Sequence, residues 1–497
     1  MDLQFFSFPL IGSLLLFIFM LFKLYKRSTA RNRPPGPNKL PIIGNMHQLY
    51  GYPPHRRMRD LAKENGDIMS LKLGQVSNIV ISSPEAAKEV MKTHDIAFSQ
   101  RAFLLTASII TYNFTDIAFA PYSDYWRQLK KICILELTSA KRVQSFRPIR
   151  EEEVQNLIGT ISSFSGKSFN FSKELFPLTY SIAARSSFGK KCKDQDEFIA
   201  LVSEITKMAA GFNIADFFPS FKFIYVMSGM RSKLLKLRES VDKIFENIID
   251  SHRAKRKTGG DSDDDDDLVD VLLRLQANGE LEFQLTTDNI KAVILDVFIA
   301  GSETSSTTVE WAMSEMLKNP EVMKKAQDEV RSVVGEKGNV DETDLDKLSY
   351  LKLVIKETFR VHPPTPLRYR ECREKCEING YEIPAKTRVI VNAWAIGRDP
   401  NHWTEAEKFT PERFLDSAID FKGNHFEFIP FGAGRRMCPG IMFGIANIEL
   451  PLAQFLYHFD WKLGDGSNSE TLDMADGFGA TVRRKHDLHL IAIPHRN

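Results

Sequence analysis

Phe431-Gly-Ala-Gly-Arg-Arg-Met-Cys-Pro-Gly440 surrounds a single cysteine with three glycines, two arginines and one proline. Glycines beside a sulfur let the backbone bend close to it and direct N–H groups at it, which favours the thiolate. A thiolate is the ligand that gives a haem iron the electron density needed to break the O–O bond of dioxygen. The alternative is a buried free cysteine in a glycine-rich turn. The pattern Phe-x-x-Gly-x-Arg-x-Cys-x-Gly, followed by an apolar run over 441–456, favours Cys438 as the ligand of a haem iron.

With this loop, the sequence resembles the cytochrome P-450 family of haem-thiolate monooxygenases, most closely the plant microsomal enzymes that oxidise specialised metabolites. The resemblance covers nearly the whole chain, from the prolines at 34 onward. It implies a mainly α-helical fold with small β-sheets and a long central helix over the haem. It also implies that haem b is bound with Cys438 as the axial ligand of its iron. Phe431 and Arg436 of the same loop are then expected to contact the haem, with Arg436 reaching a propionate.

Composition restricts the partners and the compartment. The 497 residues carry a net charge of only +2, which argues against a polyanionic partner such as nucleic acid. Five cysteines, an odd and small number, indicate a reducing compartment rather than a disulfide framework. Cys372 and Cys376 have the spacing of zinc ligands, but no second cysteine or histidine pair stands close by. We therefore expect these two to be unpaired thiols.

The N-terminus has the character of a membrane anchor. The uncharged apolar run from Leu3 to Phe22 is long enough to span a bilayer as a helix, and five basic residues follow it. A cleaved signal peptide is the alternative, but its apolar region ends in small residues rather than in lysines and arginines. Positive flanks stay cytoplasmic, which predicts a single-pass protein of the endoplasmic reticulum membrane with a cytosolic catalytic domain. The expected division is 1–33 as anchor with its basic flank, 34–41 as a proline-rich hinge and 42–497 as the haem-thiolate monooxygenase domain.

A second stretch with chemical character is predicted to be one helix from Asp288 to Asn319, with Thr286 or Thr287 as N-cap and Pro320 as stop. At about 1.5 Å per residue it is roughly 48 Å long, enough to cross the domain. Its middle reads Ala300-Gly-Ser-Glu-Thr304, and a glycine beside an acid and a hydroxyl weakens a helix. The structural interpretation is a packing notch with Thr304 bonded back to Ala300. Together with Cys438, the catalytic interpretation is favoured, in which small residues leave room for dioxygen while Thr304 and Glu303 supply protons.

Other basic and aromatic residues gain expected roles from the resemblance. Trp126 and Lys130 lie at i and i+4 on one helix face and match the family's partners for a haem propionate. The family usually has arginine where this chain has Lys130, and lysine keeps the charge but loses the fork geometry. Arg370 matches the family's propionate-binding arginine.

Further arginines have structural or open assignments. Glu357, Arg360 and Arg413 match a buried three-way network that stabilises the fold. Where similar plant enzymes read Pro-Leu-Leu-x-Pro-Arg, this chain reads Pro366-Leu-Arg-Tyr-Arg370, which adds Arg368. A guanidinium facing the pocket there binds a polar group of the substrate, whereas one facing away reaches solvent or supplements Arg370 at a propionate. Both interpretations stay open.

The predicted reaction inserts one atom of O2 into a small hydrophobic plant metabolite by hydroxylation or epoxidation, with a terpenoid as first choice and an indole-type alkaloid as second. No Gly-x-Gly-x-x-Gly fingerprint appears, so electrons from NADPH must come through a separate flavoprotein reductase, expected to dock where Lys130, Lys131 and Arg435 present positive charge. A haem-thiolate isomerase or dehydratase that uses no O2, and a non-catalytic haem-binding sensor, are the remaining alternatives. The apolar stretch from Phe212 to Phe223 is expected to contact membrane, substrate or core. The pocket is expected to be lined by Leu295, Phe298, Ala300, Leu367, Phe478 and the segment 98–119.

Overall fold

The computed structural model describes residues 12–14, 17, 32–191, 195–210, 212, 214–221, 229–257, 267–279, 281–464, 466–477 and 479–495. Helices form most of its regular structure, together with small sheets, which confirms the predicted mainly α-helical fold. The predicted membrane segment from Leu3 to Phe22 lies almost entirely outside the described residues. Within the ranges given above, no helix is long and apolar enough to cross a membrane.

The helices are numbered in chain order. They are α1 (Met46–Leu49), α2 (Pro54–Asn65), α3 (Pro84–Lys88), α4 (Leu105–Ile110), α5 (Asp124–Cys133), α6 (Ala140–Ser145), α7 (Arg147–Ser163), α8 (Phe171–Phe188), α9 (Gln195–Met208), α10 (Ile214–Phe217), α11 (Met230–Lys257), α12 (Leu268–Asn278), α13 (Thr287–Lys318), α14 (Pro320–Val334), α15 (Ser349–Val361), α16 (Ala393–Ile396) and α17 (Ile441–His458). Single π-helical turns at Glu89–Thr93 and Ile134–Thr138 extend α3 and α5, and 3₁₀ turns lie at Gly335–Lys337, Leu345–Lys347, Pro411–Phe414 and Gly434–Arg436.

The strands form three small sheets. They are β1 (Ile68–Leu73), β2 (Val76–Ile81), β3 (Ser168–Asn170), β4 (Leu367–Glu371), β5 (Cys376–Ile378), β6 (Tyr381–Ile383), β7 (Arg388–Asn392), β8 (Phe459–Leu463) and β9 (His489–Pro494). The largest sheet has the order β1-β2-β7-β4, in which only the β2–β7 pair is parallel. The sheet β3-β9-β8 is antiparallel, and β5 and β6 form a hairpin whose Asn379 and Gly380 both have positive φ, as the Asn-Gly pair predicts.

The central helix α13 organises the helical body. Thr286 caps it as expected: its hydroxyl accepts from the N–H of Asn289 at 3.2 Å, and the Asn289 side chain accepts from the N–H of Thr286 at 2.8 Å. Pro320 begins the next helix, so the predicted end before it is also confirmed. Helices α8 and α17 pack against α13. Most of its side chains are therefore buried, and it runs through the interior rather than along the surface.

The Glu357–Arg360–Arg413 cluster joins α15 to the turn Pro411–Phe414. Arg360 Nε and Nη2 donate to the two carboxylate oxygens of Glu357, each at 2.7 Å, and Arg413 Nε donates to the same carboxylate at 2.9 Å. The Glu357 and Arg360 side chains are fully buried. Arg360 also donates to the carbonyls of Gly397 and Ala406, both at 2.6 Å. Each buried charge thus has a partner, which is the condition for a buried ion pair to be tolerated.

Candidate active site

The cysteine loop is fixed by its own backbone. The N–H of Cys438 donates to the carbonyl of Phe431 at 3.1 Å, which closes the bend. Gly434 has φ +69°, and a Cβ on it would stand 2.0 Å from the carbonyl oxygen of Met91. Only glycine satisfies both conditions, because L-residues avoid this φ and the Met91 carbonyl belongs to the backbone. The loop therefore holds the sulfur at the start of α17.

The Cys438 sulfur experiences opposing influences. Burial raises the pKa of its thiol, while the N–H of Gly440 and the positive charges of Arg368 and Lys130 act to lower it. The sequence predicted that backbone N–H groups lower the pKa of this thiol. The structure shows that burial raises the same pKa by more. Gly440, Arg368 and Lys130 thus offset part of the cost of desolvation, and the pKa of the Cys438 thiol remains above its ordinary value.

A cavity of about 310 Å³ opens over the sulfur. Chain segments far apart in sequence line it: the start of α2, parts of the 101–119 region, α5, residues 209, 210 and 212 after α9, α13, β4, the cysteine loop, and residues 477, 479, 480 and 482. Leu367 and part of the segment 98–119 line it as expected. Phe478 lies outside the described residues. The expectation for Leu295 and Phe298 is wrong, because both belong to the helical core, where the Phe298 ring lies 4.5 Å from that of Phe198.

Four arginines surround this cavity: Arg101, Arg368, Arg370 and Arg436. Within the described ranges none of them forms an ion pair with a carboxylate, and their hydrogen bonds go to backbone carbonyls. Burial lowers the pKa of Arg101 and of Arg368 to about 10 and that of Arg436 to about 9, and lowers the pKa of Arg370 well below its ordinary value. We call these four residues the open arginine cluster, because the carboxylates near them, Asp95, Asp116 and Asp296, act on their charge without forming an ion pair.

The carbonyl partners show how firmly each guanidinium is placed. Arg436 donates to Ser99 O at 2.9 Å and to Ala120 O at 2.6 Å. Arg101 donates to Ala118 O at 2.8 Å and to Tyr369 O at 2.7 Å. Arg370 donates to Tyr369 O at 3.4 Å, and Arg368 donates to Pro430 O. Arg436 and Arg101 are thus held by two or more bonds. Arg368 and Arg370 have one each and keep more donors available.

Trp126 and Lys130 lie on one face of α5, as their spacing predicts. The Trp126 indole donates to Ile117 O at 2.9 Å, and its ring stacks under the Arg436 guanidinium at 4.1 Å. The Lys130 amine donates to the carbonyls of Arg435 and Met437 at 2.6 and 3.2 Å, so it braces the cysteine loop. Burial lowers the pKa of Lys130 to about 8. Both residues line the cavity.

The central helix contributes Asp296 and Val297 to the lining of the cavity, whereas Ala300, which was also expected there, is not among the lining residues. Ala300 is exposed in the middle of an otherwise buried helix, which marks the open space beside it. The Thr304 hydroxyl donates to Ala300 O at 2.7 Å, so only its lone pairs remain available. One turn before Ala300, Asp296 accepts from the N–H groups of Ile117 and Ala118 at 2.9 and 2.7 Å and fixes the cavity wall to the helix.

Glu303 points away from this face. Its carboxylate is buried and accepts a hydrogen bond from the hydroxyl of Tyr180 on α8, and the ring of Tyr180 contacts Phe298. Burial, with the Glu303 charge and hydrogen bond beside it, raises the pKa of Tyr180 well above its ordinary value. The structure therefore separates the two residues that the sequence placed together: Thr304 is half-buried and bonded back to its own helix, and Glu303 lies in the core.

Sequence reasoning missed Arg101, Asp296 and Tyr180. The signal for Arg101 was a charged residue directly before the apolar stretch 102–105. Asp296 interrupts the apolar first half of α13, which is a comparable signal. Tyr180 carries no local signal, because its partner is 123 residues away.

Comparison with known proteins decides the family. A sequence model described as Cytochrome P450 matches residues 34–489, which is most of the chain. The chain is a cytochrome P450. Plant relatives agree along the whole length of this P450: a desmethyl-deoxy-podophyllotoxin synthase of Sinopodophyllum hexandrum is 53% identical over 98% of this chain and 97% of the relative. A melianol synthase of Citrus sinensis is 53% identical over 98% and 96%, and a premnaspirodiene oxygenase of Hyoscyamus muticus is 52% identical over 99% of both chains.

A solved structure of a zebra fish cytochrome P450 with abiraterone has a TM-score of 0.76 and 24% identity to this P450, covering 90% of this chain and 100% of the other. This likeness concerns the fold. As a member of the family, the P450 is a monooxygenase that binds haem through a cysteine thiolate. The residues present fit that group, because the cavity is lined by a thiol that suits an iron ligand and by four arginines without an ion-pair partner that suit two propionates.

Proposed function

We propose that this P450 uses NADPH and O2 to hydroxylate or epoxidise a small hydrophobic plant metabolite, with a terpenoid as the substrate class. The observation that carries this proposal is the cavity that brings together Cys438, Asp296 and Val297 of α13, and the open arginine cluster. The names of two relatives, melianol synthase and premnaspirodiene oxygenase, refer to terpenoid products or substrates and support the class.

Cys438 is the proposed axial ligand, with Phe431 and Arg436 of its loop, Arg370 and Trp126 around the haem. When bound, haem supplies the activation of dioxygen and the transfer of one oxygen atom. The protein's part is to hold the sulfur, neutralise the propionates and exclude water. For Cys438→Ser we expect a folded protein whose reduced carbon monoxide complex lacks the red-shifted Soret band of thiolate-ligated haem. Persistence of that band would remove Cys438 from the site. Cys133→Ser is the matched control, because Cys133 is a buried core cysteine, and its band should stay in place.

Thr304 is proposed to manage protons at the cavity. Its hydroxyl already donates to Ala300 O, so it can accept a hydrogen bond and hold a proton-bearing oxygen in place. In Thr304→Ala we expect NADPH and O2 consumption to continue while product falls and hydrogen peroxide rises. Thr308→Ala is the matched control, since the Thr308 hydroxyl makes the same kind of bond to Thr304 O at 2.8 Å but is fully buried. If both variants coupled NADPH to product like the wild type, Thr304 would have no such role.

Glu303 is proposed to feed protons by turning from Tyr180 towards Thr304. The bond to Tyr180 holds the carboxylate in the core at rest, so the proposal requires this bond to break during turnover. Tyr180→Phe removes the bond without removing the acid. We expect Glu303→Gln to slow product formation strongly and Tyr180→Phe to preserve it. Equal slowing in both variants would indicate that Glu303 is a core residue alone.

The proposed docking face for an NADPH-dependent flavoprotein reductase lies beside α5. A shallow surface cavity there is lined by Arg127, Lys131, Arg435 and the partly exposed apolar residues Ile134 and Leu135. A basic rim around an apolar floor suits an acidic partner surface. Lys130 is proposed to serve the cysteine loop instead of the rim, because its amine is bonded inside.

Membrane attachment is proposed through the N-terminal anchor and one exposed apolar surface. Large apolar side chains are exposed at Leu40, Ile42, Tyr50, Tyr52, Ile214 and Phe221. The segments that carry them meet at the β1–β2 turn, where the N–H of Gly74 donates to Ile43 O at 3.1 Å and that of Gln75 to Phe217 O at 2.8 Å. Such a surface suits a protein of the endoplasmic reticulum membrane whose catalytic domain faces the cytosol.

The substrate class is tested with the full-length protein in membranes together with a plant NADPH-dependent reductase. A panel of terpenoids and indole alkaloids is screened first by the spin-state change of the haem and then by turnover. We expect terpenoids to give the spin-state change and an oxygenated product that incorporates one atom of ¹⁸O2. Product formed without NADPH would indicate an isomerase or dehydratase, and ligand binding with no product from any compound would indicate a sensor.

A further inference from the structure

Two thiols lie next to each other at the end of β4, outside the active-site cavity. The Sγ atoms of Cys372 and Cys376 are 3.6 Å apart, and neither cysteine is in a disulfide. An S–S bond is about 2.0 Å long, so closing it requires the two sulfurs to approach by about 1.6 Å. A side-chain rotation covers such a distance, and the backbone need not be displaced far.

Backbone hydrogen bonds fix the positions of both cysteines and so keep their sulfurs close together. The N–H of Cys372 donates to Thr387 O at 2.9 Å, and its carbonyl accepts from the N–H of Lys386 at 2.7 Å. Cys376 begins β5 and pairs with Ile383 of β6. The proximity of the sulfurs therefore follows from the sheet and hairpin geometry and does not depend on a loop conformation.

The two sulfurs differ in access. Cys372 is fully buried, whereas Cys376 is partly exposed. Their mutual hydrogen bond lowers the pKa of the Cys376 thiol and raises that of Cys372. The accessible sulfur is thus the one that more readily becomes a nucleophilic thiolate, and the buried sulfur is adjacent to it.

We propose that Cys372 and Cys376 form a redox-active dithiol that a low-molecular-weight disulfide, such as oxidised glutathione, converts to an intramolecular disulfide. The Cys376 thiolate attacks one glutathione sulfur, which forms a mixed disulfide and releases one glutathione thiolate. Cys372 then gives up its proton and attacks the Cys376 sulfur, which releases the second thiolate. Two protein thiols are oxidised to one disulfide, and one glutathione disulfide is reduced to two thiols, so atoms and electrons balance.

The two cysteines lie next to β4, a strand that lines the active-site cavity, so a crosslink between them would constrain this wall. Cys372 directly follows β4, and Arg370 of the open arginine cluster is two residues before it. In the oxidised form the end of β4 is tied covalently to the β5–β6 hairpin. Closing such a short loop restricts the unfolded chain, so we expect the oxidised protein to unfold at a temperature about 2 °C higher than the reduced protein.

The test equilibrates the full-length holoenzyme with mixtures of reduced and oxidised glutathione, blocks free thiols with N-ethylmaleimide and maps peptides by mass spectrometry. We expect a Cys372–Cys376 disulfide that appears with increasing oxidised glutathione and disappears on reduction. In Cys372→Ser, glutathione should remain attached to Cys376, because no second thiol can displace it. In Cys376→Ser, the buried Cys372 should stay unmodified. The reduced carbon monoxide spectrum of each variant reports that its fold is intact.

Three results would overturn the proposal. Both cysteines could remain blocked by maleimide at the highest proportion of oxidised glutathione. The wild type could accumulate glutathione on Cys376 without an internal disulfide, which would show that the sulfurs do not reach each other. Alternatively, the disulfide could join other cysteines, for example Cys133, which is buried in the core and serves as the internal control.

Discussion

Two buried groups of arginines in this molecule differ in what neutralises them. In the cluster of Glu357, Arg360 and Arg413, one carboxylate accepts hydrogen bonds from both guanidinium groups at 2.7–2.9 Å. In the open arginine cluster, four guanidinium groups surround a cavity and bind only carbonyls within the described part of the chain. Burial disfavours the charged form and here outweighs the acidic groups nearby, which is why the pKa values of these four are lowered.

The difference separates a structural cluster from a binding cluster. A buried cation that the protein itself neutralises stabilises one conformation, because breaking the pair exposes an uncompensated charge. A buried cation that the protein leaves unneutralised reduces the stability of the empty protein and is stabilised when an anion arrives. Substitutions in the two clusters should therefore change opposite properties of the protein.

The largest effect is expected in the paired cluster. Glu357→Gln leaves two buried arginines without a carboxylate, and we expect a loss of about 3–5 kcal/mol in the free energy of unfolding. Denaturant unfolding and the yield of folded protein measure it. Glu405→Gln is the matched control, because the Glu405 side chain is 66% exposed and its change should be near zero. A Glu357→Gln protein as stable as the wild type would contradict the structural role of the cluster.

In the open cluster, Arg370→Leu is expected to act in the opposite sense. Removing a fully buried cation without a carboxylate partner should leave the haem-free protein at least as stable as the wild type. Haem binding should weaken by about 3 kcal/mol, the upper range for a lost charge-assisted hydrogen bond. Haem affinity is measured by the rate of haem transfer to an acceptor protein, and stability by unfolding of the haem-free form. A loss of stability with unchanged haem transfer would break the distinction between the clusters.

Local sequence features predicted part of both clusters and could not predict the rest. Glu357 and Arg360 lie three residues apart on one helix, and the cysteine loop contains Arg436, so short-range spacing is sufficient for these. Arg101 has no recognisable motif in its own neighbourhood. It reaches the cavity because β4 and the 98–119 segment fold together, and its bond to Tyr369 O spans 268 positions. Such contacts are fixed by tertiary packing, which periodicity does not report.

In the central helix α13, too, local sequence features predicted one property and not another. Its two ends follow from local capping and from Pro320, and both were predicted. Its rotation about its own axis was only partly predictable, because nearly every side is apolar or small. Phe298 was expected at the cavity and faces the core, while Asp296 and Val297 line the cavity. A helix buried on all sides has no polar face to orient it, so the neighbours decide which residues reach the site.

Substitution of Arg368 is expected to have the smallest effect, and it distinguishes an arginine that binds substrate from the arginines that bind the haem within the open cluster. The alternation of β4 places Arg368 and Arg370 on the same face, yet only Arg368 departs from the Pro-Leu-Leu-x-Pro-Arg pattern of similar plant enzymes. Its guanidinium donates to Pro430 O, and its Nε has no hydrogen-bond partner among the described residues. We expect two propionates to need no more than the other three arginines, Arg101, Arg370 and Arg436. A donor is therefore left over at the cavity wall.

We expect this donor to bind an oxygen of the substrate, so Arg368→Leu should weaken substrate binding by on the order of 2 kcal/mol without loss of haem. A deoxygenated analogue should bind the variant at least as well as it binds the wild type, because the lost hydrogen bond is absent in both. Arg368→Lys is the matched control, since it keeps the charge and should retain most of the affinity for the oxygenated ligand. Spin-state titration measures both ligands, and haem content is determined on the same samples. Equal loss for both ligands together with loss of haem would instead assign Arg368 to a propionate, and the open cluster would then serve the cofactor alone.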